Sequence, residues 1–165
     1  MSTNNAPFEH QSGLYTAEEK HRRDNTRWTL VQGILAPFQF VVFLVSLGLV
    51  IRYLMNVEGY AIATWSIVIK TGVLYLIMIT GSIWEKVVFG RYLFAPAFYW
   101  EDVFSMAVLA LHTAYIVALF TGALAPKALM ILALAAYAAY VVNAVQFILK
   151  LRAARLQAAM SEVPA

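Results

Sequence analysis

Residues Trp28–Ile51 read WTLVQGILAPFQFVVFLVSLGLVI, 24 consecutive positions without Asp, Glu, Lys or Arg. About 20 apolar residues in a helix cross the hydrocarbon core of a bilayer. This stretch therefore predicts a membrane span and sets the class of the whole chain. Pro37 falls inside it and predicts a kink, which a membrane helix tolerates where neighbours satisfy the freed carbonyl. Three further runs follow. Tyr60–Trp84 carries one charge, Lys70, near its middle. A lysine there costs about 2.5–3.5 kcal/mol on insertion scales, and the surrounding Ile, Val, Leu, Met and Trp offset it. Val103–Pro126 gives another 24 uncharged positions, with His112 near the centre, and Ala128–Leu149 a further 22. Gly122 and Pro126 mark a tight turn between these two. Ala133, Ala135, Ala136, Ala138 and Ala139 in the last run suit close helix packing.

Composition agrees with four spans. Of 165 residues, 62% are hydrophobic and 13% charged, and the mean hydropathy is +0.70. Soluble domains average roughly 45–50% and 25%, so a soluble body this small has nowhere to hide the excess. The same figures exclude disorder, and the length suits one compact bundle. The absence of cysteine excludes disulfides, thiolate catalysis, iron–sulfur clusters and Cys-ligated zinc. Three histidines, at positions 10, 21 and 112, argue against a His-rich metal cage. The net charge of +3, from 12 basic and 9 acidic residues, is too small and scattered to suggest nucleic acid.

The flanks are polar. Residues 1–27 lack the apolar core and cleavage site of a signal peptide, so the segment is expected to be retained. Thr16-Ala17-Glu18-Glu19 has the form of an N-cap with acidic first-turn residues and predicts a short helix over 17–27; the alternative is a solvated charged arm. Residues 85–102, EKVVFGRYLFAPAFYWED, include six aromatics among 18 positions. They are too charged to span and too apolar for water, which predicts an interfacial segment. The tail from Lys150 reads as a basic cap followed by a short disordered end. The expected fold is all-α: an integral membrane four-helix bundle over 28–149, with an aromatic-rich interfacial segment between its second and third helices. A polar cytoplasmic arm (1–27) and a basic cytoplasmic tail (150–165) flank it. With the N-terminus inside, Lys20, Arg22, Arg23, Arg27, Lys86, Arg91, Lys150, Arg152 and Arg155 are cytoplasmic. Only Arg52 and Lys127 are then outside, with Lys70 within the membrane, in keeping with the positive-inside bias.

Familiar soluble motifs are absent: there is no GxGxxG, P-loop, GxSxG or HExxH. What remains are polar groups in or near lipid, which count as functional candidates because they are expensive there. The topology gathers Gln32, Glu85, Glu101, Asp102, Asn143 and Gln146 at the cytoplasmic end, with Asn143 and Gln146 sharing a helix face. Clustered carboxyls offer one protonated and one ionised group, the usual arrangement for acid–base work. The plainer alternative has Glu101 and Asp102 capping their helix and Glu85 pairing with Lys86 or Arg91. His112 is a candidate metal or chlorin ligand, or simply a hydrogen-bonding group between helices. Lys70 pairs with an anionic group or with helix carbonyls. The aromatics Phe89–Trp100 are either a stacking platform or an ordinary interfacial belt.

At these residues the sequence resembles a known family. Trp28–Phe40 (WTLVQGILAPFQF), Ile83–Asp102 (IWEKVVFGRYLFAPAFYWED), Ser105-Met106, Leu111–Tyr115 (LHTAY) and Tyr140–Gln146 (YVVNAVQ) are similar to the vinyl bacteriochlorophyllide hydratases. The resemblance covers roughly residues 14–155. It implies an enzyme of bacteriochlorophyll biosynthesis, in the inner or photosynthetic membrane of a bacterium, that adds water to the C3 vinyl group of a chlorophyllide. The product carries a 1-hydroxyethyl group. The implied partners are the tetrapyrrole, water, the bilayer and other enzymes of the pathway; the competing class is a non-catalytic pigment-binding or assembly protein. Alkene hydration needs only an acid, a base and an ordered water, so no cofactor is expected, and magnesium enters only as part of the substrate. The expected catalytic residues are Glu85, Glu101 and Asp102, with Glu85 or Glu101 as acid and Asp102 as base or water-steering group. Arg91 faces the pigment's propionate. Phe94, Phe98, Tyr99 and Trp100 roof the site, with Asn143 and Gln146 on its wall and His112 as ligand of the substrate magnesium or a more distant support. Asp102 and His112 are ten residues apart, about 15 Å along a helix, so the two cannot act directly on one group.

Overall fold

The computed structural model describes residues 14–161. Five helices account for nearly all of them: α1 (Ala17–Asn25), α2 (Arg27–Asn56), α3 (Tyr60–Phe89), α4 (Tyr99–Thr121) and α5 (Pro126–Ser161). The last four are long and apolar enough to cross a membrane, one for each expected span.

Their ends follow local chemistry. The Thr26 hydroxyl accepts from the Trp28 N–H (3.3 Å) to start α2. Gly90 and Gly122 close α3 and α4 in the left-handed region, at φ 81° and 65°, where a side chain is disfavoured. α5 runs to Ser161, beyond the expected end at Leu149. The disordered end expected for the tail is therefore helical as far as Ser161, because KLRAARLQAAM contains only good helix formers and no breaker. Residues 162–165, and the polar start of the arm through residue 13, lie outside the described part. The interfacial segment 85–102 resolves into the last turn of α3, a loop over residues 90–98 and the first turn of α4.

Two antiparallel hairpins form the bundle. α2 packs along α3 and α4 along α5, while α2–α5 and α3–α4 contacts join the pairs. Phe43, Val50, Ile67, Leu74, Val108, Tyr115, Met130 and Tyr137 form the core. Ala133 and Ala136 are buried too, consistent with small residues where helix backbones approach. Leu30, Ile34, Val41, Val45, Ile69 and Phe120 face outward, as lipid requires.

A polar layer crosses the middle of this core. Ser46 of α2 is hydrogen-bonded to Ser66 of α3 (2.8 Å) and to the Tyr137 hydroxyl of α5. The Tyr137 ring lies against His112 of α4, with centroids 5.9 Å apart. Lys70 of α3 is fully buried. Its ammonium sits 4.2 Å from the Tyr140 ring centroid and 5.4 Å from that of Tyr137, a cation–π cage in place of a carboxylate. Tyr137 thus touches residues from the other three spans.

The N-terminal arm is a docked helix. Thr16 and Glu19 form the expected capping box: the Glu19 N–H donates to the Thr16 hydroxyl (3.2 Å) and the Thr16 N–H to the Glu19 carboxylate (2.8 Å). Arg22 Nε donates to the Val88 carbonyl at the end of α3 (2.8 Å). Tyr15 stacks on Phe89 (5.8 Å, 12°), and burial pushes its phenol above the ordinary value. Thr29 Oγ accepts from Trp84 Nε1 (2.9 Å) and donates to the Arg23 carbonyl (2.6 Å), tying α1, α2 and α3 together.

Candidate active site

α3 ends and α4 begins at the same end of the bundle, and that places three acids together. Glu85 lies in the last turns of α3, Glu101 and Asp102 in the first turn of α4. All three are buried, at 5%, 7% and 3% exposure. The loop over residues 90–98 folds back across Glu85 and Asp102. The Phe94 N–H donates to Asp102 Oδ2 (2.7 Å) and the Ala95 N–H to Glu85 Oε2 (3.3 Å). The Glu85 and Asp102 carboxyls lie close enough to interact. Like charges this close disfavour double ionisation, so such a pair is suited to holding one proton.

Phe94 adopts φ 59°, the left-handed region that a bulky side chain disfavours. Its bond to Asp102 holds it there. Asp102 thus braces the loop rather than capping its own helix; α4 starts at Tyr99, and its N-cap residue, Phe98, makes no side-chain cap. Glu85 pairs with neither Lys86, which donates to the Gly90 carbonyl (2.8 Å), nor Arg91; no ion pair of Glu85 occurs among the described residues.

Glu101 turns away from this pair. Its Oε2 meets Lys150 Nζ of α5 at 2.7 Å, and that ammonium lies 5.2 Å from the Phe98 ring centroid. Asn143 Nδ2 donates to Ser105 Oγ (2.8 Å), one turn below Asp102. The buried oxygens Asn143 Oδ1 and Gln146 Oε1 have no hydrogen-bond partner among the described residues, so the expected α5 wall offers two acceptors. Gln32 sits deeper, donating to Thr80 (2.8 Å).

The expected aromatic roof divides. Phe98 is a core residue, 2% exposed, packed against Trp84, Phe89 and Phe147 at 5.7–5.9 Å. Phe94, Tyr99 and Trp100 form a separate exposed run with centroids 5.6–5.8 Å apart. Arg91 lines an open cleft of about 590 Å³, to which Pro96, Ala97 and Lys150 also contribute. Lys150 is expected only as a cytoplasmic basic residue at the start of the tail, not as part of the site, and this cleft is not expected at all. The signal available was positional: Lys150 is the first charge after the last span, at the level of Glu101.

His112 stands apart. α4 is unbroken from Tyr99 to Thr121, so the separation of about 15 Å from Asp102 holds. His112 Nδ1 donates to the Val108 carbonyl (2.8 Å), and Nε2 is buried without a partner. Lys70 is farther still: 15 residues from Glu85 on one helix, about 22 Å.

Four helices long and apolar enough to span a bilayer, with two acids buried together at one end, define an all-α membrane protein. Comparison with known proteins is more particular. Residues 15–153 match the family described as 2-vinyl bacteriochlorophyllide hydratase (BCHF), and the chain belongs to that family. A 2-vinyl bacteriochlorophyllide hydratase of Cereibacter sphaeroides is 69% identical over 144 residues, covering 87% of this chain and 89% of the relative. One of Rhodobacter capsulatus is 65% identical over 152 residues, covering 92% and 88%. No solved structure matches.

Proposed function

We propose that this protein hydrates the ring vinyl group of a bacteriochlorophyllide-type pigment to a 1-hydroxyethyl group, using Glu85 as acid and Asp102 as base. Family membership supports the reaction, and the burial of Glu85 and Asp102 under the same loop, each accepting from one of its N–H groups, supports the assignment of roles. Glu85 gives its proton to the terminal vinyl carbon. The cation left on the adjacent carbon is delocalised into the macrocycle. Water adds to that carbon, and Asp102 takes the proton the water loses. Asp102 is then protonated and Glu85 ionised, so passing one proton from Asp102 back to Glu85 restores the starting state. Each proton transfer contributes about 10²–10⁴ in rate. No electrons change hands, so the chemistry calls for no nicotinamide or flavin, and magnesium belongs to the substrate.

Glu101 is assigned to holding Lys150, because its carboxylate is already engaged in an ion pair. Arg91, exposed on the open cleft, draws the acidic pigment toward the rim without fixing it. Phe94, Tyr99 and Trp100 guide the flat ring along the rim, Asn143 and Gln146 supply acceptors for the attacking water, and Phe98 backs the loop. His112 acts as a support of the core.

Membranes containing the protein, supplied with vinyl pigment and oxygen-18 water, are expected to yield a hydroxyethyl product carrying the label. Label from molecular oxygen would mean a hydroxylase; stoichiometric binding with the vinyl group intact would mean a carrier.

The protein lies in the inner or photosynthetic membrane with both termini cytoplasmic, alongside other enzymes of the pathway. The positive-inside bias supports this: among nine basic residues at the Glu85 end are Arg22, Arg23, Arg91 and Lys150, while Arg52 and Lys127 are at the other. A reporter active only in the cytoplasm, fused after Ala165, is expected to be active. A reporter active only in the periplasm at that position would reverse the orientation.

A further inference from the structure

The cleft lined by Arg91 and Lys150 has apolar walls and a cationic end. Leu14, Phe89, Pro96 and Ala97 supply the apolar surface; Arg91 and Lys150 supply the charge. At about 590 Å³ it is an open cleft on the surface of the protein. The one acid on its lining, Glu19, is committed to the cap of α1 through the Thr16 N–H. The two cations differ in kind. Arg91 is exposed, so solvent and salt screen it. Lys150 is a quarter exposed along its side chain, 26%, and is held at 2.7 Å by Glu101 and beside the Phe98 ring. It is a fixed charge at the edge of a low-dielectric core, where a second carboxylate gains most.

Its placement relative to the chemistry is also specific. Glu101, which holds Lys150, directly precedes Asp102. Pro96 and Ala97 on the cleft wall directly follow Ala95, whose N–H holds Glu85. Charge recognition and proton transfer therefore share one helical turn and one loop.

We propose that Lys150 is the specificity-determining residue of this hydratase: presented to the cleft by Glu101, its ammonium takes the free carboxylate of the pigment and so sets which edge of the macrocycle faces Glu85. The inference rests on the hydratase reading above. Its ligand class is an acid, not an ester, on a flat apolar body.

The test compares a vinyl pigment bearing the free acid with its methyl ester, which keeps the ring and removes the charge. Binding is followed by absorbance titration of the purified protein in detergent, and hydration by product analysis. The unaltered protein is expected to favour the acid by about tenfold or more, the worth of one charge-assisted hydrogen bond. Lys150→Met is expected to bring that ratio close to one, and Lys150→Arg to keep most of it. Because Lys150→Met leaves Glu101 buried without its partner, the double variant Glu101→Gln/Lys150→Met gives the same reading should the single one fail to fold. Equal binding of acid and ester by the unaltered protein, or an unchanged ratio in Lys150→Met, overturns the proposal. Failure to hydrate either pigment would instead overturn the hydratase reading, and the binding ratio would still decide the role of Lys150.

Discussion

Glu85→Gln is expected to cut hydration at least a hundredfold while leaving the protein folded. The amide keeps the shape of the side chain and can still accept from the Ala95 N–H. What it lacks is the proton that must reach the vinyl carbon, and loss of one acid–base step costs about 10²–10⁴ in rate. Asp102→Asn should lose a comparable factor. It removes the base yet can still accept from the Phe94 N–H, which keeps the left-handed turn at Phe94 in place. Initial rates of product formation, paired with thermal unfolding of each variant, separate chemistry from folding. Near-normal rates in both variants, together with loss of activity in His112→Ala or Lys70→Met, would move the reaction to the middle of the bundle.

Tyr137→Ala should be the most damaging change in the core. The residue is 2% exposed and touches Ser46, Lys70 and His112 on three different helices. Replacing a large buried aromatic by alanine costs about 3–5 kcal/mol. Here it also strips one of two rings from a buried ammonium. Tyr137→Phe keeps the ring and removes only the hydroxyl bonded to Ser46, so it should cost about 1 kcal/mol. Thermal unfolding in a mild detergent should rank the three proteins in that order. Equal losses in the two variants would show that the hydroxyl, and not the ring, organises the layer.

The four spans and the capping box of α1 were legible from residue order because each depends on neighbours in the chain. Trp28–Ile51 is long and uncharged, and Thr16 lies three residues before Glu19. The three acids at one end also followed from counting helix lengths. Who pairs with whom did not. Lys150 and Glu101 are 49 residues apart, and their meeting depends on the register between α4 and α5. Spans that are apolar on every side carry no stripe to fix that register. The burial of Phe98 was hidden for a similar reason: Phe94, Phe98, Tyr99 and Trp100 look alike in sequence, and only the path of the loop separates the first, third and fourth from the second. Lys70 shows the limit most plainly. Its cage of Tyr137 and Tyr140 is built from a helix whose aromatics look like ordinary core residues.

The length of α5 has a consequence for traffic around the protein. From Lys150, which grips Glu101, the helix continues to Ser161, about 16 Å farther. It rises beside the cleft like a mooring post. On the hydratase reading, this leaves the approach from the plane of the lipid as the expected one for a flat amphiphile.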